Sequence, residues 1–65
     1  MFIKLTLWES EELIRVNPDN IDVYHPLIMD GKVHSKVYIG TDYWIVHETP
    51  NEIDVKIKKA KKIMV

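Results

Sequence analysis

The sequence contains no cysteine, and this absence removes two kinds of stabilising cross-link. Without thiols the chain has neither a disulfide framework nor a metal site built on thiolates. A chain of 65 residues makes a single domain, assigned to residues 1–65. Such a chain buries only roughly 60% of the surface that it exposes when unfolded. Small domains usually need a further source of stability, so we expect this one to form a homo-oligomer.

Long apolar segments are also missing. No stretch approaches the roughly 20 apolar residues that span a bilayer, which predicts that a membrane is not a partner. The first residues, Met1 to Lys4, lack the charged region, apolar region and cleavage site of a signal peptide. With the lack of cysteine, these features predict a cytoplasmic protein.

Acidic residues are absent from the end of the chain, and this makes the charge distribution uneven. Residues 1–55 hold ten acids and four bases, a net charge of −6, whereas residues 56–65 hold five lysines and no acid, a net charge of +5. Arginine is also scarce, since Arg15 is the single one, which leaves little capacity for bidentate recognition of phosphates or bases. An acidic body with a basic tail is the main electrostatic feature of the sequence.

Apolar and polar residues alternate along much of the chain, as is typical of strands that are buried on one face. The predicted strands cover residues 2–7, 12–16, 21–24, 32–39 and 43–48. Pro26 predicts that the third strand is an edge strand or contains a bulge, because proline has no N–H for a central ladder. Asp30 and Gly31 predict a two-residue hairpin turn, since both turn positions need a positive φ. The pattern predicts a small antiparallel five-stranded sheet or a half-open barrel.

A helix follows, predicted over about residues 50–64. Thr49 and Glu52 have the spacing of a capping box, and Pro50 falls at the first helical position. The apolar positions of the helix then form one stripe, which consists of Ile53, Ile57, Ala60 and Met64. The fold class is therefore α+β, with one C-terminal helix. The predicted core is Leu5, Ile14, Val16, Ile21, Val23, Val37, Ile39, Trp44, Val46, Ile53 and Ile57.

Three stretches carry a resemblance to a known family. They are Ile3 to Leu7, the segment Val16 to Ile21 with its Asn-Pro-Asp, and Tyr43 to Ile53, a strand that ends in a Glu-Thr helix cap. In these stretches the chain resembles the FlbD/SwrD family of short bacterial flagella-associated proteins, and similar small proteins are found in phages and prophages. The resemblance implies the small β domain with a terminal helix and offers no catalytic or cofactor-binding residues.

Few residues of the chain are suited to metal binding or catalysis, and their spacing does not match a known site of either kind. His25, His34 and His47 have no partner three or four residues away, so we interpret them as three surface imidazoles at strand ends, without a metal. Ser35 is adjacent to His34 and would point to the opposite face of a strand, which separates a nucleophile from its base. We therefore predict that the protein is not an enzyme and binds no cofactor.

The predicted function is a non-catalytic protein-interaction module that self-associates. A more specific form of this prediction is a phage or prophage accessory protein that binds an unidentified host protein. The candidate interaction surface consists of Trp8, Val55, Lys58, Lys59 and Lys62. Trp8, in a predicted turn, is interpreted as a lid on the core or as an interface anchor. The alternative is a small regulator that binds nucleic acid through the lysine-rich helix, with Tyr38, Tyr43 and Trp44 available to stack on bases.

Overall fold

The computed structural model describes the backbone of residues 1–63 and the side chains of residues 1–61. Within these residues, five antiparallel strands, a short 3₁₀ turn and one helix follow each other along the chain. Met64 of the predicted apolar stripe, and the side chain of Lys62, lie outside the described residues. The elements are β1 (Ile3–Thr6), β2 (Leu13–Val16), the 3₁₀ turn (Pro18–Asn20), β3 (Val23–Met29), β4 (Lys32–Ile39), β5 (Asp42–Val46) and α1 (Pro50–Ile63).

The turns follow from local chemistry, and the predictions for Asp30, Gly31 and Pro26 are confirmed. Asp30 and Gly31 both have positive φ, 53° and 73°, as the β3–β4 hairpin requires. Asn17 starts the 3₁₀ turn, and its side-chain oxygen accepts a hydrogen bond from the N–H of Asp19 at 3.0 Å. Pro26 lies on β3, which is an edge strand of its sheet.

The strands do not form one continuous sheet, and the prediction of a five-stranded sheet or half-open barrel was wrong in this respect. β1 pairs with β2, while β3, β4 and β5 form a separate three-stranded sheet in that order. Among the described residues, a single antiparallel bridge, Leu7 to Val46, joins the two sheets. On one side of it the N–H of Trp8 donates to the carbonyl of Ile45 at 2.9 Å, and on the other the N–H of His47 donates to the carbonyl of Thr6 at 2.9 Å.

The backbone hydrogen bonds between the two sheets stop at Thr6 because the carboxylate of Glu48 replaces the next backbone acceptor. In a regular antiparallel pair the N–H of Thr6 would donate to the carbonyl of His47. Here it donates to Oε1 of Glu48 at 2.8 Å, and the Thr6 hydroxyl donates to Oε2 of the same side chain at 2.9 Å. The side chain of Glu48 thus takes the place of the next backbone partner. We call this pair the Thr6–Glu48 clasp.

The core lies between the two sheets and the helix. The buried apolar side chains of the described residues are Ile3, Leu5, Val16, Val37, Val46 and Ile53. Ile14, Ile21, Ile39 and Ile57 of the predicted core pack against them and are partly buried. Two predictions were wrong, since Val23 is 52% exposed and Trp44 is 41% exposed. Val23 pairs with Tyr38 on the side of the sheet away from the core, and Trp44 faces inward at the open end of β5.

The helix is fixed at its start and along its inner side. Thr49 and Glu52 cap it reciprocally, since the N–H of Thr49 donates to Oε1 of Glu52 at 2.9 Å and the N–H of Glu52 donates to Oγ1 of Thr49 at 3.2 Å. The hydrogen bonds from the backbone and side chain of Thr49 lower the pKa of Glu52. Ile53 is fully buried in the core, and the hydroxyl of Tyr24 on β3 donates to the carboxylate of Asp54.

Candidate interaction surfaces

Residues that pair across neighbouring strands share a face of the sheet, so the register divides the three-stranded sheet into two sides. The inner side includes Val37 and Val46, which belong to the same buried core cluster as Ile53 of α1. We call the opposite side the outer face. It consists of Val23, His25, Leu27 and Met29 from β3, Lys32, His34, Lys36 and Tyr38 from β4, and Tyr43 and Ile45 from β5. The helix packs on the inner side, which leaves the outer face open over much of its area.

Aromatic rings form a cluster at one end of the outer face. Tyr38 and Tyr43 pair across β4 and β5, and their ring centroids are 6.2 Å apart. The ring of His25 lies 5.7 Å from that of Tyr38 at an angle of 35°. Nζ of Lys36 lies 4.2 Å from the ring centroid of Tyr43 and 5.3 Å from that of Tyr38. We call these four residues the tyrosine cluster.

Two imidazoles and an indole meet at the other end of the outer face. The rings of His34 and His47 are 5.4 Å apart, and the edge of Trp8 faces His34 at 6.4 Å and 88°. His34 is only 5% exposed and lies within β4, so its interpretation as a surface imidazole at a strand end was wrong. Its Nδ1 lies 3.2 Å from the carbonyl of Lys32, which assigns the proton to Nδ1.

The imidazole of His47, the second of this pair, has fewer polar contacts than that of His34. Nε2 of His47 is buried and has no hydrogen-bond partner among the described residues, and the nearest carboxylate oxygen, Oε1 of Glu11, is 3.9 Å away. Within the described part of the chain, no group of three or more histidine, aspartate or glutamate side chains is arranged to hold a metal ion. This end of the outer face is therefore a packed aromatic corner.

Ser35 points away from the histidine beside it, as the alternation of a strand predicts. It pairs with Val46 on the inner side, is fully buried, and its Oγ has no hydrogen-bond partner among the described residues. His34 lies on the outer face, so the sheet separates the hydroxyl from the imidazole. The two side chains cannot act together as nucleophile and base.

The predicted interaction residues fall into two separate groups. Trp8 lies beside the outer face, where an open groove of about 470 Å³ runs between its turn and the side chains of Tyr43 and Ile45. Val55 is 51% exposed on the helix, where it lines a shallow depression with Lys59, and Lys58 is exposed nearby. The structure does not bring Trp8 and the helix residues together.

The predicted stacking residues are also divided. Tyr38 and Tyr43 are neighbours on the outer face, whereas Trp44 lies on the inner side. Sequence reasoning missed the contribution of His25 and Lys36 to this cluster. The signal was present in the two-residue spacing of Lys36 and Tyr38, but it becomes readable only once the hairpin register is known.

A second apolar surface lies where the two sheets separate. Phe2, 64% exposed, and Trp44 line an open groove of about 340 Å³. Ile39 contributes apolar surface to the same groove, and Arg15 and Asp42 contribute one charge of each sign. Arg15 and Asp42 line the groove without forming an ion pair with each other among the described contacts. We call this surface the Phe2–Trp44 groove.

Comparisons with known proteins add no relative to this description. No family model, curated protein sequence or solved structure gives a significant match to the chain. The resemblance to the FlbD/SwrD family therefore stays a prediction. Within residues 1–63, the helix is too short and too polar to cross a membrane.

Proposed function

We propose that the protein is a non-catalytic interaction module that self-associates through the Phe2–Trp44 groove. The observation that carries the proposal is the combination of two exposed large aromatic side chains with one positive and one negative charge in the same groove. Aromatic residues dominate the binding energy of many interfaces when a partner covers them. A groove with this composition suits a partner that presents the same surface.

The charges of the groove make it complementary to itself. In a twofold dimer each copy presents the same patch to the other, so Arg15 of one copy can meet Asp42 of its partner, and the reverse contact forms by symmetry. Both side chains are exposed in the single chain, which leaves them free to pair between copies. The aromatic side chains lie beside them and lose water on contact.

The size of the core supports the same proposal. Six apolar side chains are buried among the described residues, in a chain whose accessible surface is 4825 Å². A standard interface buries about 800 Å² on each partner, which is roughly a sixth of that surface. Dimerisation would therefore add apolar burial that is substantial for a domain of this size.

The oligomeric state tests the proposal directly. Light scattering after gel filtration at roughly 100 μM should give the mass of a dimer, because interfaces of this size commonly dissociate in the micromolar range or below. Trp44→Ala should shift the mass towards the monomer. Ile28→Ala is the matched control, since Ile28 is an exposed apolar residue that does not line the groove and should leave the mass unchanged.

Charge reversal gives the sharpest form of this experiment. Asp42→Arg should weaken the dimer, because two positive side chains would then meet at each end of the interface. The double variant Arg15→Asp with Asp42→Arg should restore it, since the pairs re-form with opposite sign. A monomeric wild-type protein at this concentration, or a double variant no better than Asp42→Arg alone, contradicts the proposal.

A cytoplasmic location and a host-protein partner belong to the same proposal. The cysteine-free sequence supports the first. The phage, prophage or flagellar setting rests on the resemblance of the three sequence stretches described above. Capture of a partner from a bacterial lysate by the wild-type protein, but not by Trp44→Ala, would identify a protein that uses the same groove.

The alternative function, nucleic-acid binding by the lysine-rich helix, has weaker support. Lys58 and Lys59 are exposed, but the helix lies on the inner side of the sheet, away from Tyr38 and Tyr43. Phosphate contacts on the helix would thus act without the stacking that the tyrosines offer. Electrostatic binding of this kind is independent of sequence and falls steeply with salt.

A further inference from the structure

We infer that the outer face of the three-stranded sheet binds single-stranded nucleic acid at the tyrosine cluster. Bases would stack on Tyr38 and Tyr43, and Lys36 would contact a phosphate. This surface is separate from the Phe2–Trp44 groove, so the inference goes beyond the proposed self-association and does not depend on it. It also differs from binding by the helix, which lies on the other side of the sheet.

The rings are arranged as a stacking platform. Tyr43 is 55% exposed, and its ring lies 6.2 Å from that of Tyr38, which in turn lies 5.7 Å from His25. Neighbouring strands are about 4.8 Å apart, so three strands present rings over a width that matches a few successive nucleotides. Proteins that bind single strands place exposed aromatic side chains in this way, because every base has a flat face to stack.

The charge of the outer face fits a phosphate backbone. Its strand positions include the positively charged Lys32 and Lys36 and no aspartate or glutamate. This contrasts with the rest of residues 1–55, which carry ten acids. Glu11 lies beside His47, and Glu9 lines the groove that also includes Tyr43. At the tyrosine end, Asp42 pairs with Ile39 on the inner side, and Asp22 accepts a hydrogen bond from the N–H of Gly40 at 2.8 Å. The tyrosine end holds both contacts of the Lys36 ammonium with aromatic rings, so we place the strand there.

Lys36 connects the rings to the phosphates. Its ammonium lies over both tyrosine rings, at 4.2 and 5.3 Å from their centroids. At an exposed site this cation–π contact is weak, so a base can replace the ammonium on the ring. The ammonium then remains within reach of the phosphate that joins two stacked bases.

A single strand suits this surface better than either a duplex or a second copy of the chain. The faces of the bases are hidden inside a duplex and cannot reach the tyrosines. A second copy stacked face to face would bring Lys36, on the central strand, towards Lys36 of its partner. Both alternatives give distinct results in the experiment below.

Fluorescence anisotropy with labelled oligothymidine and oligouridine of roughly 8 nucleotides, at low and moderate salt, tests the inference. Wild-type protein should bind both oligomers, and Tyr43→Ala should weaken binding by about 5- to 150-fold, the loss expected for one stacked base. Lys36→Gln should reduce the slope of log affinity against log salt by about 0.7, since one phosphate contact is lost.

Two controls separate this site from the other surfaces. Lys58→Gln with Lys59→Gln removes two helix charges and should change affinity less than Tyr43→Ala does. Phe2→Ala should shift the dimer towards the monomer and leave oligonucleotide binding in place, whereas Tyr43→Ala should leave the dimer mass unchanged. The two proposals can thus fail independently.

Several outcomes would overturn the inference. One is no binding by wild-type protein at low salt. Another is a loss of affinity in the helix variant but not in Tyr43→Ala, which would assign binding to the helix. Equal affinity for a blunt duplex would contradict stacking on the tyrosines, because the faces of the bases are hidden inside a duplex. A dimer mass that depends on Tyr43 would show that a second copy covers this face.

Discussion

At the scale of the residue, Ser35 shows how much one buried side chain can lower the stability of the fold. It is fully buried among apolar neighbours, and its hydroxyl has no partner among the described residues. Burial of an unpaired hydroxyl costs roughly 1–3 kcal/mol in proteins. Alanine has nearly the same shape without the polar atom, so the substitution should leave the packing intact.

We expect Ser35→Ala to raise the free energy of unfolding by about 1 kcal/mol, because it removes an unsatisfied polar group. Urea denaturation followed by circular dichroism measures the change. Thr41→Ala, at an exposed turn position, is the control and should stay within about 0.5 kcal/mol of the wild type. A loss of stability in Ser35→Ala would mean that the hydroxyl has a bonding partner after all.

At the scale of the element, the hydrogen bond between Tyr24 and Asp54 holds the helix to β3. Burial, and then the hydrogen bond and charge of Asp54, raise the pKa of Tyr24 from 10.0 to about 12. The neutral phenol is therefore favoured in the folded state. Its contribution to stability is complete below pH 10 and is lost as the pH rises through about 12.

We expect Tyr24→Phe to lower stability at neutral pH and to reduce the further loss of stability between pH 10 and 12. The phenolate absorbance of the folded protein should also lose its component that titrates near 12. Tyr43→Phe, at an exposed position, is the control for both measurements. The same alkaline loss of stability in Tyr24→Phe as in the wild type would contradict the assignment.

Predictions from the sequence were correct for turns and caps, and wrong for features that depend on how the strands pair. The Asp30-Gly31 turn and the Thr49–Glu52 cap were correct because each depends on residues close in the chain. The placement of Val23 and Trp44 in the core was wrong because it depends on strand register and on where the two sheets part. The tyrosine cluster was missed for the same reason, since a shared face is a property of paired strands.

At the scale of the whole molecule, the Thr6–Glu48 clasp fastens one sheet to the other. Hydrogen bonds to a charged acceptor contribute about 1.5–3 kcal/mol each, and here two of them reach one partly buried carboxylate. The bridge at Leu7 provides the remaining backbone link between the sheets. Only a few hydrogen bonds among the described residues therefore hold the two sheets together.

We expect Glu48→Ala to destabilise the protein by about 2 kcal/mol, because the N–H of Thr6 loses its acceptor next to the core. Hydrogen exchange should show faster exchange at the amides of Thr6 and Trp8 than in the wild type. Glu12→Ala removes an exposed acid and serves as the control. Unchanged exchange at Thr6 would mean that another group satisfies this N–H.

The clasp also determines when the fold can be completed. It joins residues 42 positions apart, so the β1–β2 hairpin cannot be fastened to the three-stranded sheet until the chain through Glu48 is available. A ribosome must therefore release the segment around Glu48 before the opening strand can settle. During synthesis the β1–β2 hairpin stays loosely held until the carboxylate of Glu48 can reach Thr6.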